Sequence, residues 1–287
     1  MSVVLEIEDG NPYWYLSPDI WTVPGNDPEG APGQPIVGTN CFLWARVHNT
    51  GSTAVQDATV RFYWANPSVG FDRSSASAIG FSFVSLEAGE TQDVLCLTPW
   101  IPAYVNGGHE CVLAEVFHDS DPLPAGLAFN VPTDRHVAQR NLSVLMASEA
   151  KKMMVHLAFE IHNTSRTARV FEISTKAGKL SDLKSLHKSL GRDFHWPKED
   201  GKLEDVGFIQ STCPSEEDWG KKKHVLERLE IPANGRVGMT LVGRLHGSAA
   251  VINVIQKVDG HIVGGLSSLV LAESEFNKTA ACSQKGA

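Results

Sequence analysis

The chain has 287 residues, of which 42 % are apolar and 20 % charged, a balance that suits one large globular domain or two ordinary ones. Its formal net charge of -8 comes without a long basic block, which argues against a nucleic-acid or anionic-membrane partner, because phosphate binding needs clustered Lys and Arg. No stretch of about 18 apolar residues is present to cross a membrane, and Met1–Gly10, with Glu6, Glu8 and Asp9, lacks the basic start of a signal peptide.

The first 35 residues hold a short apolar strand at Val3–Ile7, an aromatic segment around Tyr13-Trp14-Tyr15 and Trp21, and a Gly/Pro-rich loop, GNDPEGAPGQP. The segment Asn40–Asn66 then reads as a strand, a turn at Asn49-Thr50-Gly51-Ser52 and a second strand. In it Leu43, Ala45 and Val47 alternate with Phe42, Trp44 and Arg46, and Val60, Phe62 and Trp64 with Arg61 and Tyr63. This is expected to form a hairpin with one buried face per strand, Trp64 on the core side. Further strands are expected at Phe81–Leu86, Gln92–Thr98, Cys111–Phe117 (after a turn at Asn106-Gly107-Gly108) and Val137–Val144. Short alternating strands with no helical period between them predict an antiparallel β-sandwich or barrel, and about seven strands in roughly 110 residues match the size of an immunoglobulin-like sandwich, expected over residues 1–147.

A second unit is expected over residues 148–272. Met154–His162 and Ala168–Ser174 flank Asn163-Thr164-Ser165, the grammar of the first pair again, so the two units read as a degenerate internal repeat. Leu180, Leu183, Leu186 and Leu190 fall at helical spacing, with Ser181 as N-cap and Gly191 just past the end. A long polar loop is expected over 192–223. It includes the basic run Lys221–Lys223, offset by Glu216, Glu217 and Asp218 just before it. Strands resume at His224–Ile231, Arg236–Leu245, Ala249–Lys257 and Ile262–Leu271, and residues 273–287 read as a flexible tail. Overall the expectation is all-β: two tandem immunoglobulin-like β-sandwich domains, the second with a short helical insertion.

The first unit resembles the CARDB-type immunoglobulin-like domains of bacteria. The resemblance rests on WARVHNTG (Trp44–Gly51), VRFYWANP (Val60–Pro67), the Ala88-Gly89-Glu90 turn, HECVLAEVF (His109–Phe117) and VAQRNLSV (Val137–Val144), over roughly residues 15–146. The second unit resembles a divergent sandwich of the same kind, best matched from Glu230 to Leu271. The resemblance implies an accessory, spacer or binding role, usually attached to a larger secreted protein; the exposed loops and edge strands of a sandwich add the expectation of membership in a larger bacterial assembly. The lack of a leader sequence leaves cytoplasmic residence or export without a cleaved leader as the alternatives.

Motifs for chemistry are sparse: there is no GxSxG, P-loop, GxGxxG before a helix or HExxH, so no enzyme activity and no cofactor are expected. By strand parity His156, Glu160 and His162 share one exposed face, but His156 lies too far along the strand to share an ion with the other two. His118, Asp119 and Asp121 read as a turn, not a calcium loop. No metal site is assigned. Five cysteines without a CxxC pair read as thiols, with one bridge, Cys41–Cys111, left open. Candidate binding residues are the aromatics Tyr13, Trp14, Tyr15 and Trp21, with Trp196 and Trp219 beside the long loop. Such rings suit a glycan or a protein hot spot if exposed, and a sandwich base or domain join if buried. The expected function is a non-enzymatic protein-binding or structural module acting through loops and edge strands, with a protein partner or self-association. The alternative is a carbohydrate-binding module using the N-terminal aromatics.

Overall fold

The computed structural model describes residues 2–65, 70–74, 76–102, 111–126, 128–191, 194–211 and 213–283. The turn expected at Asn106-Gly107-Gly108 and the side chain of Cys282 lie outside what is described. The first sandwich comprises β1 (Leu5–Glu6), β2 (Ile20–Pro24), β3 (Cys41–Asn49), β4 (Val55–Ala65), β5 (Ser77–Leu86), β6 (Thr91–Leu95), β7 (Cys111–Phe117) and β8 (Val137–Arg140). One sheet places β3 between β6 on one side and β1 and β2 on the other; the second runs β5-β4-β7-β8. The inward half of each alternation fills the space between them: Leu43, Ala45 and Val47 from β3, Val60 and Phe62 from β4, Val112, Ala114 and Val116 from β7. Trp64 is partly buried against this core and stacks on Trp100.

The second sandwich comprises β9 (Leu142–Ala147), β10 (Met154–His162), β11 (Arg169–Gly178), β12 (Lys202–Ile209), β13 (Leu226–Ile231), β14 (Arg236–His246), β15 (Ala249–Val258) and β16 (His261–Ala272). Its sheets are β10-β14-β12 and β13-β11-β15-β16-β9. Leu157, Phe159, Ile173, Phe208, Met239, Leu241 and Val254 lie between them. The fold is thus all-β, two sandwiches in tandem.

The repeat is visible in the connectivity. The order β5-β4-β7-β8 recurs as β13-β11-β15-β16, and the β3–β6 pair recurs as β10–β14. The segments Asn40–Asn66 and Met154–Ser174 are not hairpins, however. β3 and β4 lie in opposite sheets, as do β10 and β11, so each turn is an arch across the sandwich. Strand alternation is the same for a hairpin and an arch. What sets the arch is a buried asparagine. The Asn49 side chain donates to the carbonyls of Thr53 (2.9 Å) and Glu87 (3.0 Å) and accepts from the Gly51 N–H (3.2 Å). Asn163 repeats the pattern, donating to Thr167 (2.8 Å), Ile231 (3.0 Å) and Pro232 (2.9 Å) and accepting from Ser165 (3.0 Å). Each asparagine ties its own arch to the arch between the next two matched strands.

Further expectations are corrected. The strand expected at Val137–Val144 breaks at Asn141: β8 stays in the first sandwich, and β9 pairs in parallel with β16 of the second, Leu142 opposite Ser267. The "loop" 192–223 contains β12, which pairs with β14, and a 3-10 turn at Glu216–Lys221. The "tail" forms helix α2 (Glu273–Ser283), whose Glu275 pairs with His195 at 2.9 Å; α1 (His187–Leu190) precedes it in the chain. The leucine-spaced segment is a 3-10 turn, Leu180–Leu186, running into α1. Its entry is closed by Asp182 accepting the Lys179 N–H (2.8 Å), not by Ser181. Gly191 follows with φ +94. Cys41, Cys96, Cys111 and Cys213 are thiols, and Cys111 donates to Asn141 Oδ1 (2.6 Å) instead of bridging Cys41.

Candidate functional site

The N-terminal aromatics lie at the join of the sandwiches. Trp14 and Tyr15 are 8 % and 2 % exposed, in one cluster with Leu183, Leu186 and Leu190 of the helical insertion and with Val251 and Leu269 of the second sandwich. Tyr15 donates to Asn253 Oδ1 (3.0 Å), Ser267 donates to the same oxygen, and Tyr13 donates to Asp182 (3.1 Å). Trp21 is buried in the outer face of the first sheet, stacked on Trp44 (5.9 Å, 6° between planes). The carbohydrate reading therefore loses its surface, since ring faces used in packing cannot stack on a sugar. Trp196 stacks on His187 (4.1 Å) and Trp219 meets His156 edge-on (4.9 Å), so both anchor their own loop. Gly265 is what lets the Tyr15 ring seat, because a Cβ there would come within 2.5 Å of it. Gly265→Ala is expected to lower unfolding free energy by about 2 kcal/mol through overpacking. Urea titration checks this, and a loss below half that value would mean the ring can move aside.

The polar clusters are structural. Asp121 accepts the Leu5 N–H (2.7 Å) and an Arg135 bond (2.6 Å), clasping β1, and the Asp121–His118 bridge closes the expected turn. His48 spans Asp19 (2.7 Å) and Thr91 (2.9 Å), and the Asp19 bond raises its pKa. His162 is buried, not on an exposed face as parity suggested, and Glu160 faces Arg236 (3.6 Å). Among the described residues no group of three His, Cys, Asp or Glu could hold a metal ion.

An exposed apolar surface lies on the β5–β6 side of the first sandwich. Here the edge strands of the two sheets run side by side: β5 pairs only with β4, and β6 only with β3, among the described strands. They border a groove of about 1040 Å³, lined by Gly80, Ser82, Val84, Val94, Leu95 and Leu97 among others. Ser82 donates to Leu95 O (2.5 Å) and Gln92 to Ser85 O (3.1 Å), so the groove has a polar floor. Gly80 lets the Thr98 turn close one end, since a Cβ there would sit 2.8 Å from Thr98 Oγ1. Burial pushes the Cys96 thiol up to about 11, leaving it unreactive at neutral pH. On the rim, Phe81 and Phe83 are 58 % and 61 % exposed and meet edge-to-face at 5.6 Å; Leu97 is 73 % exposed. Exposed apolar side chains gathered on one patch mark an interaction site more often than scattered ones do. Sequence reading missed these three, although the signal was present: FSFVSL sets Phe81 and Phe83 on one face and Val84 and Leu86 on the other, and an edge strand buries only one.

No protein-family model matches the chain, and no curated protein does. Among solved structures, it is similar to the CARDB domain of a Pyrococcus furiosus protein, solved with two metal ions, at 16 % identity and a TM-score of 0.29, over 48 % of this chain and 85 % of that one. It is also similar to red sea bream transglutaminase (8 % identity, TM-score 0.22, over 89 % of this chain and 31 % of that one). A third likeness is to a Listeria innocua β-glucosidase, solved in complex with gluconolactone (14 % identity, TM-score 0.23, over 42 % and 16 %). No activity is carried over from any of them.

Proposed function

We propose that the protein is a non-enzymatic, protein-binding structural module that engages its partner through the β5–β6 edge of the first sandwich. The observation that carries this reading is the open double edge rimmed by Phe81, Phe83 and Leu97. An edge strand offers a row of backbone donors and acceptors that an added strand can pair with, and the exposed side chains supply apolar contact area. The second sandwich supports it by contrast. There β14, the counterpart of β6, has a strand of its own chain, β12, on the equivalent edge, with Phe208 opposite Leu241. The first sandwich has no such strand among its described residues.

A photo-crosslinking phenylalanine analogue placed at Phe83 is expected to capture protein in an extract of the source organism. The same analogue at Val170, an exposed apolar position on the second sandwich, is expected not to. Equal yields at both positions, or no crosslink at either to another protein or to a second copy of the chain, would remove the β5–β6 edge as the binding surface.

A further inference from the structure

The internal repeat provides a comparison within one chain. β5 and β13 hold the same place: each is the edge strand of its sheet, and each ends in an arch whose carbonyls are held by the repeated asparagine. They differ in chemistry. β13, LERLEI, carries Glu227, Arg228 and Glu230 among six residues, and charges on an edge strand oppose pairing with another edge. β5, SAIGFSFVSL, has ten residues with no charge and no proline, and two aromatic rings on its exposed face. An uncharged edge of high β propensity lacks the charge and proline guards against edge-to-edge pairing, and the register shifts of its pairing with β4 fall outside the regular stretch Phe81–Val84.

We propose, building on the reading of this edge as a binding surface, that its occupant is β5 of a second copy of the chain, paired antiparallel about a two-fold axis through Ser82. A two-fold interface must be self-complementary, and this register is. Ser82 faces Ser82 of the second copy, and Phe81 faces Phe83 of the second copy on both sides of the axis. Side chains two apart on a strand share a face, so the four rings form one cluster, with cross-strand Cβ separations near 5 Å. Directly opposed residues on β5 bring no like charges together, because the strand has none. The two β4-β5 sheets then continue as one across the axis, which satisfies the backbone groups of both edges at once.

Light scattering on size-exclusion peaks of the purified full chain, across a dilution series, tests this. The wild type is expected to run as a dimer that dissociates on dilution. Phe81→Lys and Phe83→Glu are each expected to weaken dimerisation by about tenfold or more, since each removes two aromatic pairs and buries a charge. Both positions are exposed, so the monomer fold is expected to survive, checked by an unchanged near-UV circular dichroism spectrum. In the proposed register the double variant Phe81→Lys/Phe83→Glu sets each introduced lysine against the introduced glutamate of the other copy. It is expected to dimerise better than either single variant, and less well as salt rises. Val170→Lys is the control that leaves the dimer unchanged. A dimer indifferent to Phe81→Lys and Phe83→Glu, or a double variant no better than the singles, overturns the proposal. A wild type that stays monomeric overturns it too. Crosslinks from Phe83 in extract would then keep the edge as a site for a different protein, and their absence would remove both readings.

Discussion

Asn163→Ala is expected to destabilise the second sandwich by about 3 kcal/mol, because it strands several buried groups at once. The side chain is buried and makes four hydrogen bonds. Two of its acceptors, Ile231 and Pro232, belong to the arch leading from β13 to β14, so the substitution unties one arch from the other. Asn163→Asp is expected to cost more than alanine. A carboxylate keeps the shape but has no N–H to donate, and it sets a charge against three carbonyl oxygens. The matched change Asn49→Ala is expected to do the same to the first sandwich. Urea unfolding followed by tryptophan fluorescence measures all three; losses below about 1 kcal/mol would mean that water replaces the side chain without difficulty.

Arg73→Met is expected to cost about 3 kcal/mol, since it leaves a buried carboxylate short of its main counter-charge. Glu115 sits on β7 with no exposed surface. It accepts from Tyr63 (2.6 Å) and takes two Arg73 bonds on one oxygen, from Nε at 2.8 Å and Nη2 at 2.6 Å. Arg61, 3.5 Å away, is half exposed and a weaker substitute. Burial and the Glu115 bond push the Tyr63 phenol up to about 12, so it stays a donor throughout the neutral range. Arg73 also lies over the Phe129 ring (4.9 Å) and donates to Gly126 O (3.2 Å), which fastens two connecting segments onto the outer face of the β5-β4-β7-β8 sheet. The double variant Arg73→Met/Glu115→Gln is expected to recover most of the loss, because no charge is then left behind. If it is no more stable than Arg73→Met alone, the arginine acts by packing on Phe129 and not by neutralising Glu115.

Where one face of a strand is buried and the other is not, the sequence spelled out the structure. β3 and β10 were readable residue by residue because each has a core on one side. β12 was not, because KLEDVGFI sits at a sheet edge and its pairing is set by β14, far along the chain. β9 was read as the end of β8 because one residue, Asn141, separates them and nothing local reports a change of sheet. The paired Asn-Thr segments pointed to a repeat, but not to arches, since the deciding bonds reach carbonyls 38 and 68 residues away. The aromatics at Tyr13–Tyr15 give the same signal whether they face a ligand or a join. It took the helical insertion and Gly265 to show the second. Phe81 and Phe83 were legible in principle, once a strand apolar on both faces is recognised as an edge with a surplus.

The parallel pair of β9 and β16 has a consequence for how the chain acquires its shape. β9 leaves the first sandwich at Asn141, yet its partner strand lies 125 residues later, Leu142 against Ser267. The first sandwich has all eight of its strands by Arg140 and can close as the chain is made, whereas the second sheet waits for the last strand to be synthesised. Until then β9 is an unpaired apolar strand tethered to a finished neighbour, and contacts of such long sequence separation form slowly. Assembly is therefore ordered in time: the N-terminal half serves as the template on which the C-terminal half is finally zipped.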